Sequence, residues 1–381
     1  MRFEPDLYPT NCIIMKMYRI IVFCIIGSLF FSCARKEEPV LIATPGLKIP
    51  FNPEKYLCKK SIAPILVDGD LNDAAWKNAP WSNSFVDIEG ELKPLPTWDT
   101  KVKMLWDENY LYIAAEIIEP HIWGTLTEHD AVIFYDDDFE VFIDPDGDTH
   151  NYYEYEINAL GTDWDLLLTK PYRDGSYPID SWEIPGIKKG VKIYGTLNNP
   201  ADLDEKWTVE LAFPWEVLRE CNAGQKIPKP GDQWRIGFSR VDWTMVIEDN
   251  KYVKKKDENG KVLPEDNWIW SPQGVINMHR PETWGYLQFV DNDTDTFVEH
   301  ADEKVKWALR QVYYREHAYF AENQTFTNNL SSLRLHEVTL NDNPFEPEIK
   351  LIASGFIASY PSIERDGVWY IESDGLVKFA R

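Results

Sequence analysis

Short alternating runs of apolar and polar residues, broken by turn chemistry, dominate the chain from residue 61 to residue 291. The stretch TKVKMLWDENYLYIAAEII predicts two strands, 101–106 and 110–118, joined across Asp107-Glu108-Asn109 as a hairpin. DFEVFID and YYEYEIN predict a second pair, with DPDGDTHN between them. Further strands are expected over 190–197, 207–213, 233–242 and 283–290. PWEVLREC, after WTVELAF, suits one short helix with Pro214 at a tolerated first-turn position. Many short strands and few helices imply a mainly β fold, a β-sandwich.

The pattern changes after residue 291. ADEKVKWALRQVYYREHAYFAEN brings Val305, Ala308, Leu309, Val312, Tyr313 and Phe320 near one helical face. Behind it, three short strands are expected, with turns at Ser354-Gly355, Asp366-Gly367 and Asp374-Gly375. Residues 292–381 therefore read as a small C-terminal α+β appendage. At the other end, MKMYRIIVFCIIGSLFFSC sets Lys16 and Arg19 before an apolar run and closes on Ser32 and Cys33. Residues 1–33 read as a signal peptide, because the run is shorter than the roughly 20 residues of a spanning helix. Residues 34–60 mix Pro, Gly and charge without periodicity, as a tether ending in a short ordered lead-in does.

Charge then removes one class of partner. Lys plus Arg number 39 against 63 Asp plus Glu, a net charge of -24 with no basic stripe, so nucleic acid is excluded. Aromatics make up 14% of the chain, with 16 Trp and 19 Tyr, which suits a β-rich fold or stacking on flat ligands. No Gly-rich phosphate loop, no G-x-S-x-G elbow and no C-x-x-C pair is present. Cys58 and Cys221 either pair or remain free thiols.

Five segments, in order, resemble the family 9 carbohydrate-binding modules. They are ILVDGDLNDAAWKNAPW, VKMLWDENYLYIAAEI, DDDFEVFIDPDGD, VELAFPWEVL and IWSPQGVINMHRPETWGYLQF, and they cover about residues 65–290. The resemblance implies a β-sandwich over 61–291 that binds a polysaccharide or oligosaccharide at a chain end. A terminal sugar is clamped between aromatics, calcium supports the structure, and members are best known attached to xylanases. Carried over residue by residue, it places Glu140 on the ligand-contacting carboxylate and Phe134 on one clamping Trp. Met278 corresponds to the other clamping Trp, and Glu156 stands where the family uses an Arg. Phe and Met make a less flat clamp than two indoles, and Glu for Arg replaces a donor by an acceptor. LFFSC resembles a loose lipobox that leaves Cys33 as an acylated N-terminus, and CARKEEP resembles the acidic export signal of surface lipoproteins in Bacteroidetes.

The remaining candidates each carry two readings. Asp144, Asp146 and Asp148 alternate around Gly147, as an oxygen-ligand calcium loop does, and equally as a solvated Asp-Gly hairpin does. In NYYEYEIN, Tyr153, Tyr155 and Ile157 face the core while Tyr152, Glu154, Glu156 and Asn158 point outward. That outward face either hydrogen-bonds sugar hydroxyls or is simply solvated. Trp164 and Trp182 flank an irregular insert, DLLLTKPYRDGSYPID, and are the stacking candidates.

The expected protein is an exported lipoprotein held by a lipid anchor at the outer membrane or cell surface. It binds plant-type glycan, xylan-like or glucan, in support of carbohydrate catabolism, with an outer-membrane protein complex as a further partner. Two other classes stay open: a glycoside hydrolase built on Glu140 or Glu156, and a structural lipoprotein whose sandwich contacts protein.

Overall fold

The computed structural model describes residues 48–292 and 295–381. The expected signal peptide and Cys33 lie outside the described residues. The main strands are β1 (Lys55–Lys60), β2 (Thr100–Trp106), β3 (Tyr110–Ile118), β4 (Asp138–Asp144), β5 (Tyr152–Asn158) and β6 (Asp163–Leu168). They continue with β7 (Lys188–Tyr194), β8 (Lys206–Pro214), β9 (Gln233–Asp242), β10 (Asp266–Ile269) and β11 (Gly285–Val290). Within one 13-stranded sheet the order is β6, β5, β4, β9, β11, β1, β2, β3, β8, β7.

The sheet folds over to bury its own inner face. Val102, Met104, Ile113, Val209 and Leu211 from one half share a core with Val141, Tyr155, Ile236 and Leu287 from the other. This is a β-sandwich, and each such buried aliphatic contributes roughly 1.5–3 kcal/mol of burial. The 100–118 hairpin is as the alternation predicts, with Met104 opposite Ile113. β4 and β5 also pair antiparallel, placing Glu140 opposite Glu156.

β1 joins the two halves, running parallel to both β11 and β2. It falls at the end of residues 34–60, where a short ordered lead-in is expected, and pairs that lead-in into the sheet as a strand. Tyr56 and Cys58 are buried, and the Tyr56 hydroxyl donates to Pro80 O (2.7 Å) while accepting from the Met104 amide (3.0 Å). Parallel pairing carries no local hairpin signature, which is why the pattern missed it. Cys58 and Cys221 are both free thiols.

The expected irregular insert is partly ordered into the sheet: its opening DLLL is the end of β6, and Pro178–Ile179 pairs back onto Leu168 and Leu167. After the short helix α1 (Trp215–Leu218), the long helix α2 covers Ala301–Asn323. Behind it come four strands rather than three: β12 (Glu348–Ile352), β13 (Gly355–Pro361), β14 (Val368–Glu372) and β15 (Val377–Ala380). Three turns divide a meander into four strands, and the structure uses all three. Val305, Ala308, Leu309, Val312 and Tyr313 are buried as expected, but Phe320 is exposed beyond the packed turns and stacks on Phe326 instead.

This C-terminal element packs on the sandwich. Arg310 donates to Thr149 Oγ1 (3.1 Å) and Gly375 O (2.7 Å), and the Val377 amide donates to Asp148 O (3.2 Å). Arg173 pairs with Glu282 at 3.0 Å, and Tyr314 donates to the same carboxylate.

Candidate functional site

The site is built on the face of β5 that the alternation turns away from the core. Tyr152, Glu154, Glu156 and Asn158 are all buried, so of the two readings the simply solvated one fails: loops from distant parts of the chain cover the face. Cross-strand register sets a straight row on it, Ser239 beside Glu140, Glu140 beside Glu156, and Glu156 beside Trp164. Glu154 joins them because residues two apart on a strand share a face.

Above this row opens a cleft of about 440 Å³ lined by Phe134, Glu140, Glu154, Glu156, Trp164 and Tyr172, with Glu265, Asn267 and the 276–279 loop opposite. Phe134 is fixed by a bond from its amide to Glu156 Oε2 (3.0 Å) and by its carbonyl, which accepts from Trp243 Nε1 (2.9 Å). Met278 enters from a loop pinned by Trp284 Nε1, which donates to the Met278 carbonyl at 2.9 Å. His279 meets the Tyr152 hydroxyl at 3.0 Å and the edge of Tyr172 at 4.4 Å between ring centroids. Burial, helped by Arg173, holds its pKa down to about 3, so the imidazole is neutral.

No lysine or arginine lines the cleft among the described residues. Burial pushes Glu140 up to about 7, with the Ser239 hydroxyl drawing it down and Glu265 pushing it further up. Burial also raises Glu154, reinforced by Glu140. Glu156 is raised by burial and by both neighbours, against the pull of the Phe134 and Ile133 amides. The floor therefore holds protons near neutral pH and offers O–H donors as well as acceptors. Glu140 Oε2 and Trp164 Nε1 have no hydrogen-bond partner. Glu140 and Glu156 offer oxygens within 4.8 Å of each other. Hydrolytic carboxylates flank a bond at about 5–10 Å, whereas these two stand side by side on one floor.

Five of the seven expected contact residues thus meet: Phe134, Glu140, Glu156, Trp164 and Met278. Asn158 does not line the cleft. Its amide donates to Leu126 O (2.9 Å) and Asp136 Oδ2 (3.1 Å) and accepts from Leu160 and Thr162, which leaves it a turn-holding residue. Trp182 lies apart from the cleft, stacked on Tyr153 at 5.0 Å against the inner core. Tyr172, Asn277 and His279 were missed as wall residues. They come from turns far from β4 and β5 in sequence, and only an aromatic in the insert hinted at one of them.

Asp144, Asp146 and Asp148 converge as the spacing suggests, with one oxygen from each within 4.8 Å of the others. Asp144 accepts from the Gly147 and Thr149 amides at 2.9 Å each. Asp146 Oδ1 is buried without a partner, and burial with Asp148 nearby raises its pKa to about 7. A hard cation suits such an orphaned, all-oxygen set. A larger cleft of about 620 Å³ lies between Phe51–Pro53 and α2, but no buried carboxylate row underlies it.

The family described as "Carbohydrate family 9 binding domain-like" matches residues 67–268, more than half of the 381 residues. Among solved structures, one similar chain is a carbohydrate binding module of family 9 from Caldicellulosiruptor kristjanssonii in complex with cellotriose. It shows 15% identity and a TM-score of 0.41 over 65% of this chain and 98% of that one. The same module in complex with glucose gives 15% identity and 0.41 over 64% and 100%. A putative carbohydrate-binding protein from Bacteroides uniformis gives 15% identity and 0.45 over 62% and 100%. No curated protein matches.

Proposed function

The chain belongs to the carbohydrate family 9 binding domain-like family, and from that premise we propose that the cleft over Glu140, Glu156 and Trp164 binds a carbohydrate. The observation that carries the reading is the cleft floor: a row of buried carboxylates and an indole with unpaired hydrogen-bonding atoms, facing about 440 Å³ of space. Concave sites of a few hundred Å³ with a few convergent polar groups are the usual form of small-ligand pockets. Trp164, Tyr172 and Phe134 offer ring faces to the C–H faces of a pyranose, and the carboxyls exchange hydrogen bonds with its hydroxyls.

The ligand is a plant-type polysaccharide or oligosaccharide, xylan-like or glucan, bound in support of carbohydrate catabolism. The family sequence match and the neutral-to-acidic, cation-free lining support a neutral sugar over a uronate. The lipobox-like LFFSC supports an acylated Cys33 that tethers the sandwich at the outer membrane or cell surface, next to partners in an outer-membrane protein complex. Asp144, Asp146 and Asp148 would hold a structural calcium, which would neutralise three converging carboxylates and brace the loop on which β15 rests.

Affinity electrophoresis of the full chain on xylan, glucan, mannan and pectin, with and without chelator, tests both parts. Retention on xylan or glucan, with a melting temperature lowered by chelation, is expected. Equal migration in every gel overturns carbohydrate binding, and a chelator-insensitive melting temperature removes the calcium.

A further inference from the structure

We propose that the floor of the cleft is itself a divalent-cation site, formed by Asp138, Glu140 and Glu156, whose outward coordination positions take the hydroxyls of the bound sugar. The cation site stands on the geometry of the floor, while its contact with sugar rests on the carbohydrate reading.

Asp138 and Glu140 lie two apart on β4 and so share a face, and Glu156 stands opposite Glu140 on β5. One oxygen from each falls within 4.8 Å of the others. Independently of that convergence, Asp138 Oδ2 and Glu140 Oε2 have no hydrogen-bond partner, although Asp138 is fully buried and Glu140 is 4% exposed. An unpaired buried carboxylate oxygen costs more than a hydrogen bond returns, and these two converge with Glu156, whose Oε2 accepts from the Phe134 amide at 3.0 Å, so that the three carboxylates repel each other when charged. Among the described residues no lysine or arginine lines the cleft to neutralise them. Arg240 on β9 is committed to Glu119 and, at 2.6 Å, to Asp242; Lys254 donates to Tyr135 O and lies 3.3 Å above the Trp243 ring.

Carboxylate oxygens select a hard ion, calcium or magnesium, over softer metals. Three carboxylates from one side leave part of the six to eight oxygen positions of calcium open. Glu140 and Glu156 line the cleft and Asp138 does not, so vicinal sugar hydroxyls would reach the open positions from the side of the two glutamates. This site differs from the Asp144–Asp148 loop, which sits at the other end of β4 beneath β15.

The test is calcium titration of the full chain by calorimetry, run in an Asp146→Asn background so that the loop does not contribute. Glu140→Gln and Glu156→Gln are each added, with Asp138→Asn as the alternate if either fails to fold by circular dichroism. One calcium is expected in the parent, weakened at least about tenfold, or roughly 1.4 kcal/mol, by each substitution. Terbium in place of calcium should show emission sensitised through Trp164, lost in Glu140→Gln and reduced in Trp164→Phe. A calcium isotherm unchanged by the folded variants overturns the site. Xylan and glucan oligosaccharides are then titrated with and without calcium. Sugar binding that needs calcium in the parent supports the contact, and binding indifferent to calcium overturns it. Calcium bound with no sugar bound under any condition supports the ion site and overturns the carbohydrate reading instead.

Discussion

Two tryptophans that flank the same segment end in opposite environments, one in a strand and the other in the loop that follows Pro178–Ile179. Trp164 stands across from Glu156 in the row over the floor, whereas Trp182 stacks on Tyr153, the neighbour of Glu154 that faces the inner core. Their substitutions should therefore separate binding from stability. Trp164→Ala is expected to weaken glycan retention about five- to thirtyfold, from loss of a stacking face worth roughly 1–2 kcal/mol, with little change in melting temperature. Trp182→Ala is expected to lower the melting temperature by several degrees while the folded protein keeps its affinity. Affinity electrophoresis beside thermal melts reads both, and the reverse pattern would move the site off this floor.

At the scale of an element, α2 carries a buried acid that makes its docking pH-dependent. Glu316 is fully buried, accepts from the Thr327 amide at 3.0 Å through one oxygen, and has no partner on the other. Burial, against that amide, raises its pKa from 4.5 to about 7. The folded state then holds the proton more tightly than the unfolded chain, so this group's contribution falls as pH rises from about 4.5 to 7 and is flat above. Glu316→Gln keeps the acceptor without the charge. It is expected to be more stable than the natural chain at pH 8, by about 1–3 kcal/mol, and equal at pH 4, in urea denaturation at the two pH values. A pH-independent difference would show that Glu316 is solvated when charged.

Over the whole molecule, the C-terminal element and the sandwich share a buried polar seam, so they should unfold together. Against the effect of burial, Arg173, Arg310 and Arg280 hold Glu282 down to about 2, and Tyr314 donates to it. Glu282→Ala leaves Arg173 buried without its main counter-charge, since Asp174 lies farther off at 3.4 Å. Breaking such a pair costs about 3–5 kcal/mol. Calorimetry should then show the single transition of the natural chain replaced by a weaker early one for α2 and β12 to β15, ahead of the sandwich. One unsplit peak at an unchanged temperature would mean that the seam carries no load.

Alternation and turn chemistry alone determined the mainly β class, the hairpin of β2 and β3, the pairing of β4 with β5 and the extent of α2, because each rests on neighbours close in sequence. Glu140 was marked by the resemblance of the ordered motifs to family 9 modules, while alternation supplied only its strand and face. Three things needed the tertiary structure. β1 reads only as a short ordered lead-in, not as a strand, because its partners are parallel strands from distant segments, with no turn to announce them. The face bearing Glu154, Glu156 and Asn158 reads equally as solvated or as sugar-binding because alternation reports only that it is polar. Whether water or a wall of Phe134, Tyr172, Met278 and His279 lies above it depends on loops folding over from elsewhere. That burial turns a row of ordinary glutamates into a proton-holding floor with unpaired oxygens, and burial is a property of the assembled chain rather than of any segment.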